Sequence, residues 1–162
     1  MIPHTPSSPA KLRIWQQNTR KSKINTDNII NQASLTKYDI ILIQEPWFDH
    51  LGKMRGTHNW HIIYHFTIYQ DNHQCICSII LINTNISTNA YTPLDIPYSD
   101  ITAIHLKGKF SNCSIFNIYN NCTNNPTTTA LQTYLDEHPH EALPSPNDHI
   151  LWFGDFNRHH LL

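Results

Sequence analysis

Short apolar runs recur along this chain, separated by polar stretches rich in Asn, Thr and Ser. "KLRIWQQN", Lys11 to Asn18, places Leu12, Ile14 and then Gln16 at every second position, the pattern of a strand with mixed burial. The polar stretch "RKSKINTDN" follows. Asn25 or Thr26 is placed to cap a helix whose apolar stripe is Ile29, Ile30 and Ala33, with Leu35 near its end. In "YDIILIQEPWF" the unbroken run Ile40 to Ile43 suits a strand covered on both faces. Pro46 has no N–H to give a ladder, so that strand should end at Glu45.

"NWHIIYHFTIY" and "CICSIILIN", joined by the polar "QDNHQ", predict a hairpin. "TPLDIPYSD", with two prolines, predicts a loop. "ITAIHLKG" and "CSIFNIYNN" predict a second strand pair that turns near Lys109 to Asn112. "NNPTTTALQTYLDEH" predicts a turn and then a helix with Leu131, Tyr134 and Leu135 on one face. "PHEALPSPND" predicts a loop, and "HILWFGDFN" a last strand with Gly154 permitting a turn or a close approach at its end. The order βαβ, several strands, then αβ implies a mixed α/β sandwich with helices covering sheets.

A chain of 162 residues fits one domain with a real core. Its first ten residues are Pro- and Ser-rich without an apolar stretch, and predict a flexible leader (1–10) ahead of a domain over 11–162. No run of 18 apolar residues is present, so no membrane span is expected. Charged residues are only 14% and the net charge is -1, so composition carries no strong sequence-independent hold on nucleic acid. The basic residues are uneven, however: Lys11, Arg13, Arg20, Lys21 and Lys23 are five of the 11 Lys and Arg. Cys75, Cys77, Cys113 and Cys122, without a signal peptide, suggest reduced thiols inside a cell. Cys75 and Cys77 share the spacing of one strand face and read as buried structural thiols. A zinc site with His73 matches no strong zinc spacing. His58, His61 and His65 have helix-like spacing in a strand-like region and are given no role.

Three strands end in groups a core does not want: the first in Asn18, the second in Glu45, the last in Asp155 and Asn157. A carboxylate straight after "IILIQ" is costly to bury unless it is paired or binds a metal. Side-by-side strands ending at one edge would gather two carboxylates and two amides into an oxygen-rich site, which suits a hard cation, Mg²⁺ or Mn²⁺. Singly, each of these residues also fits a turn or an exposed strand end.

"RIWQQNTRKS", "YDIILIQEPW", "SIFNIYNN" and "LWFGDFNRHH", in that order and spacing, resemble the endonuclease/exonuclease/phosphatase family. The likeness is nearest to the apurinic-type endonuclease domain of non-LTR (LINE-like) retrotransposons and covers most of the chain from Lys11 onward. It implies an α/β fold, part of a four-layer sandwich of two mixed sheets with helices outside. It further implies that Glu45 is the principal metal ligand, for Mg²⁺ or Mn²⁺, with Asn18 beside it. Tyr119 would contact the scissile phosphate, Asp155 would orient or deprotonate the attacking water, and Asn157 would stabilise charge on the phosphoryl oxygens.

His159 and His160 are expected to pack beside the motif. Arg20, Lys21 and Lys23 would contact backbone phosphates of DNA, or form a solvated loop. The family pattern continues with further strands and a late Asp-His pair, which this sequence lacks, so the expectation is a C-terminally truncated domain of impaired activity. Asp148-His149 precedes "GDFN" and is not expected to replace that pair. The readings left open are a metal-dependent, DNA-nicking phosphodiesterase and a non-catalytic retrotransposon remnant or gene-model fragment. A relative acting on phosphoinositides, nucleotides or RNA ends is a third, because fold does not decide substrate. The resemblance also implies a downstream reverse transcriptase in a full-length element and an intracellular, nuclear setting.

Overall fold

A computed structural model describes residues 11–65, 76–109, 111–121 and 126–157. The chain builds two four-stranded sheets. The first contains β1 (Ile14–Asn18), β2 (Ile40–Gln44), β3 (Trp60–Ile63) and β4 (Ser78–Asn83), in the order β1-β2-β4-β3. The second contains β5 (Tyr91–Leu94), β6 (Ile101–Leu106), β7 (Cys113–Tyr119) and β8 (His149–Asp155), in sequence order. Only β1 with β2 and β7 with β8 are parallel among the strand pairs described. A parallel pair needs a crossover, and a helix supplies each one. Helix α1 (Lys23–Gln32) joins β1 to β2, while α2 (Pro126–Glu137) and the short α3 (Pro139–Ala142) lie between β7 and β8.

Burial sorts these elements into four layers. The inner faces of the sheets meet through Ile40, Leu42, Ile80, Ile82, Ile104 and Ile115, all buried. The alternate residues Ile41, Ile43, Ile79 and Leu81 face outward onto Ile29, Ile30 and Ala33 of α1 and its C-cap. On the far side, Ala103, Phe116 and Ile118 pack with Leu131 and Tyr134 of α2 and Ala142 of α3. Both faces of β2 and β4 are therefore covered, which is why their sequences are continuous apolar runs rather than alternating ones. Burying each such side chain contributes about 1.5–3 kcal/mol.

The α/β sandwich expected from the sequence is thus observed, with three local differences. Helix α1 starts earlier than the apolar stripe suggests. Its N-cap is Ser22, whose hydroxyl accepts from the Asn25 N–H, rather than Asn25 or Thr26. "TPLDIPYSD" is not all loop, because Thr92, Pro93 and Leu94 belong to β5. Proline is tolerated there because β5 is an edge strand and its missing N–H breaks no central ladder. "PHEALPSPND" holds α3, a single turn with Pro139 in its first turn, too short to leave a periodic signal. The expected hairpin is present as antiparallel β3 and β4, though its turn "QDNHQ" lies outside the described residues. No helix among the described residues is long and apolar enough to cross a membrane.

Candidate active site

The parallel pairs aim two strand ends at the same place. Asn18 lies in register with Gln44, and Tyr119 with Asp155. Asn18 and Glu45 belong to the first sheet, Tyr119 and Asp155 to the second, and the side chain of Asn18 joins them. Its Nδ2 donates to Glu45 Oε1 at 2.9 Å and to Asp155 Oδ2 at 2.8 Å. Two carboxylates from two sheets are thus held by one amide.

Glu45 reaches that position through its backbone. A regular strand would send consecutive side chains to opposite faces, and Gln44 already points inward. Glu45 instead adopts φ 48°, the left-handed region, which returns its carboxylate to the side of Asn18. Three bonds hold this conformation. Glu45 N–H donates to Cys77 O at 2.8 Å, and Glu45 O accepts from Lys21 N–H at 2.8 Å and from Thr19 Oγ1 at 2.6 Å. Among the described residues, the non-glycine positions with positive φ are Arg20, Lys21, Glu45 and Asn157, and all four lie in the segments that build this site. Strained backbone of this kind concentrates at functional sites.

Asp155 closes β8 immediately after Gly154. A Cβ on Gly154 would sit 1.9 Å from Ile118 O, and its φ of 152° disfavours other residues, so only glycine lets β8 lie this close to β7. Beyond it the turn is folded back on itself. Asp155 Oδ1 accepts from Asn157 N–H at 3.2 Å, and Asn157 Nδ2 donates to Asn120 O at 2.8 Å. Asn120 in turn donates its N–H to Asp155 O and its Nδ2 to Phe156 O, each at 2.8 Å. Its own Oδ1 is buried without a hydrogen-bond partner among the described residues.

Tyr119 completes the group. Its hydroxyl lies beside Glu45, and burial first, together with the negative charges of Glu45 and Asp155, pushes its pKa up to about 12. The phenol therefore keeps its proton and remains a donor at neutral pH.

Two neighbours escaped the sequence reading. The backbone of Asp100 accepts from Tyr119 N–H at 2.9 Å. Burial raises the pKa of its half-buried carboxyl, while a bond from Cys77 and the charges of Lys21 and His65 act in the opposite direction. Asn120 was passed over as part of a strand end. The signal for Asp100 was topological: β6 runs antiparallel to β7, so the residue before β6 flanks the residue ending β7.

Of the other residues singled out, Arg20 and Lys21 are exposed on the loop after Asn18, and Arg20 N–H donates to Asn18 Oδ1 at 2.8 Å. Lys23 is instead engaged on α1, with Asp27 at 2.5 Å and the Trp47 ring at 5.2 Å. Asp148 caps the opposite end of β8, accepting from Asn112 Nδ2 at 3.0 Å and Ser145 N–H at 3.1 Å. Asp148-His149 therefore stands a full strand away from Asp155. Cys77 and Cys113 are in no disulfide among the described residues, the first buried and the second half-buried. His73, Cys75, Cys122, His159 and His160 lie outside the described residues.

Asn18 spends its oxygen on Arg20 N–H and its NH₂ on the two carboxylates, so here it positions them, and coordinating a cation itself would require the amide to turn over. Among the described residues no three His, Cys, Asp or Glu side chains gather as a ready ligand set. The donors present fit a hard cation that keeps several waters, for which the Glu45 carboxylate would supply a protein oxygen. They do not fit a soft or tetrahedral metal site. A hollow of about 280 Å³ lies elsewhere, lined by Ile63, His65, Leu94 and Ala103 among others, and includes none of the four site residues.

Two face-to-face mixed sheets between helices, with the strand-end carboxylates at one edge, make this a four-layer α/β sandwich. Among solved structures it is similar to the endonuclease domain of TRAS1, a telomere-specific non-LTR retrotransposon, with TM-score 0.66 and 14% identity over 93% of this chain. It is also similar to TDP2 of D. rerio complexed with a single-strand DNA product, with TM-score 0.56 and 13% identity over 92% of the chain. TDP2 of C. elegans aligns with TM-score 0.52 and 16% identity over 93% of the chain. The chain spans 61%, 62% and 50% of those three structures respectively. At these identities the likeness establishes the fold. No protein-family model matches the chain, and no curated protein matches it in sequence.

Proposed function

We propose that this chain carries the metal-holding and water-orienting part of a phosphodiesterase site that acts on DNA. The observation that carries the reading is the Asn18 amide bonded at once to Glu45 and Asp155, one carboxylate from each sheet. The solved endonuclease domain of TRAS1 and the TDP2 complex with single-strand DNA support DNA as the substrate class. Glu45 would hold Mg²⁺ or Mn²⁺, with Asn18 fixing its orientation. When bound, the cation polarises a phosphoryl oxygen and offsets the negative charge of the two carboxylates.

Every other step belongs to side chains of this chain. Asp155 takes the proton of the attacking water as the new P–O bond forms and the ester P–O bond breaks, and the departing oxygen takes a proton from solvent water and leaves as an alcohol. Tyr119, still protonated, donates to the phosphate. Asn157 keeps one amide hydrogen for a phosphoryl oxygen, because the other is used on Asn120 O. Arg20 and Lys21 contact the DNA backbone beside the metal. Lys23, which bonds Asp27 and lies over the Trp47 ring, is the third basic candidate.

The test is nicking of supercoiled plasmid in Mg²⁺, with Mn²⁺ binding followed in parallel by electron paramagnetic resonance. With only part of a site, the expected result is weak nicking that EDTA and Glu45→Ala abolish and that Asp155→Asn lowers further, toward the loss of about 10²–10⁴-fold usual for a positioned general base. Arg20→Ala and Lys21→Ala should each flatten the salt dependence of DNA binding by about one unit of slope. Nicking or Mn²⁺ binding that survives Glu45→Ala overturns the reading.

A further inference from the structure

One step below the site, toward the middle of the sandwich, the inner faces of the two sheets are not apolar. Gln44 lies in register with Ser78 on one sheet, and Thr102 with Asn117 on the other. All four are buried, three of them with no exposure at all. They bond across the gap between the sheets. Gln44 Nε2 donates to Asn117 Oδ1. Asn117 Nδ2 donates to the carbonyls of Ile43 at 3.0 Å and Ile79 at 2.8 Å, two residues that face each other across β2 and β4. Thr102 Oγ1 donates to Ser78 O at 2.7 Å and lies 2.8 Å from Ser78 Oγ. Gln16 extends the row outward, donating to Gln44 Oε1 at 2.5 Å.

Gln44 and Asn117 are each one or two residues from a site group. Gln44 precedes Glu45 and lies in register with Asn18. Asn117 lies two residues before Tyr119, and in register with Phe153, two before Asp155. The apolar contact between the sheets is indifferent to small sliding, because hydrophobic burial has no direction. Hydrogen bonds do have direction, and a buried donor or acceptor pulled from its partner costs about 1–3 kcal/mol. An apolar interface alone would hold the sheets together without fixing how far one is displaced along the other. The site cannot tolerate that freedom, because its two carboxylates come from different sheets.

We propose that Gln44, Ser78, Thr102 and Asn117 are positioning residues: a buried hydrogen-bonded layer that locks the register between the two sheets and so places Glu45 and Asn18 against Asp155 and Tyr119. None of them touches substrate or metal. Their effect passes through the residues above them.

The discriminating variants replace partners in pairs by apolar groups of similar shape, Gln44→Leu with Asn117→Leu, and Ser78→Ala with Thr102→Val. Removing both partners leaves no buried polar side-chain group of the pair unsatisfied, and the outside partners Ile43 O, Ile79 O, Ser78 O and Gln16 each lose only one bond, so thermal stability should fall by less than either single replacement costs. Register should nevertheless be lost. Two measurements read it. In nuclear magnetic resonance spectra, the side-chain amide protons of Asn18 should lose the protection and downfield shift that their two carboxylate acceptors give them. In the plasmid assay, kcat should fall by about 10²-fold with KM little changed, the cost of a misplacement of about 1 Å.

The exchanged pair Ser78→Thr with Thr102→Ser keeps both hydroxyls and should restore both signals. The kinetic measurement rests on the phosphodiesterase reading and the Asn18 spectrum does not, so an inactive parent protein would refute that reading while the register lock is still tested. Either apolar pair folding with the Asn18 amide spectrum of the parent would overturn the proposal. Should the Gln44 and Asn117 pair fail to fold, the Ser78 and Thr102 pair and its exchanged control decide alone.

Discussion

Tyr119 shows how a residue's neighbours, more than its own chemistry, set what it can do. Its hydroxyl faces Glu45 and Asp155, so ionising it would add a third negative charge to a crowded edge. The folded chain holds the Tyr119 proton more tightly than the unfolded chain, where tyrosine titrates near about 10. Between about pH 10 and 12 the native state therefore binds more protons than the unfolded state, and stability falls as pH rises. Tyr119→Phe should flatten that alkaline decline, measured as urea midpoints against pH. It should not abolish the decline, because burial also raises Tyr91 and Tyr134.

The core of the site could be read from single residues before any fold was known. Asn18, Glu45 and Asp155 are polar groups at the C-terminal ends of apolar strands, a conflict visible in one dimension. Asp100 and Asn120 could not be found that way. Asp100 sits at the start of a strand after a Pro-containing stretch, where a carboxylate conflicts with nothing local. Its place beside Tyr119 depends on the antiparallel pairing of β6 and β7.

At the scale of elements, periodicity found what is long and failed on what is short. Runs such as Ile40–Gln44 and Ser78–Asn83 carry enough consecutive apolar residues to announce buried strands. β5 carries a proline and is half-exposed, and α3 is a single turn, so neither leaves a repeating pattern. The start of α1 was misplaced for a related reason. The apolar stripe marks where a helix is buried, whereas the cap marks where it begins, and here these are more than a turn apart. Ser22 Oγ accepts from Asn25 N–H at 3.3 Å. Ser22→Ala should cost about 1 kcal/mol in chemical denaturation, as the loss of an N-cap usually does. Because Lys21 N–H bonds Glu45 O just before that cap, the variant should also loosen the turn behind Glu45.

Viewed as a whole molecule, the sandwich is well covered at its centre and open along β8. Among the described residues β8 is an edge strand, and Leu151 and Trp152, on its opposite faces, are 37% and 46% exposed. An edge with unpaired backbone groups and apolar side chains on both faces favours pairing with another strand. The chain is therefore expected to self-associate as its concentration rises, and Leu151→Lys should shift sedimentation profiles toward the monomer. An unchanged profile would show that β8 is not the contact.

The bond from Asn18 to Asp155 joins residues 137 positions apart. Neither sheet contains the site. Each contributes half, and the halves meet only when nearly the whole chain has been gathered, after the entropy of closing so long a loop has been met. A partly folded chain, however well formed its hairpins, does not bring Glu45 and Asp155 together. Whatever binds there selects chains that are folded throughout, and its binding free energy adds to the stability of the entire sandwich rather than to one loop. In this molecule the proposed site would double as a check that folding is complete.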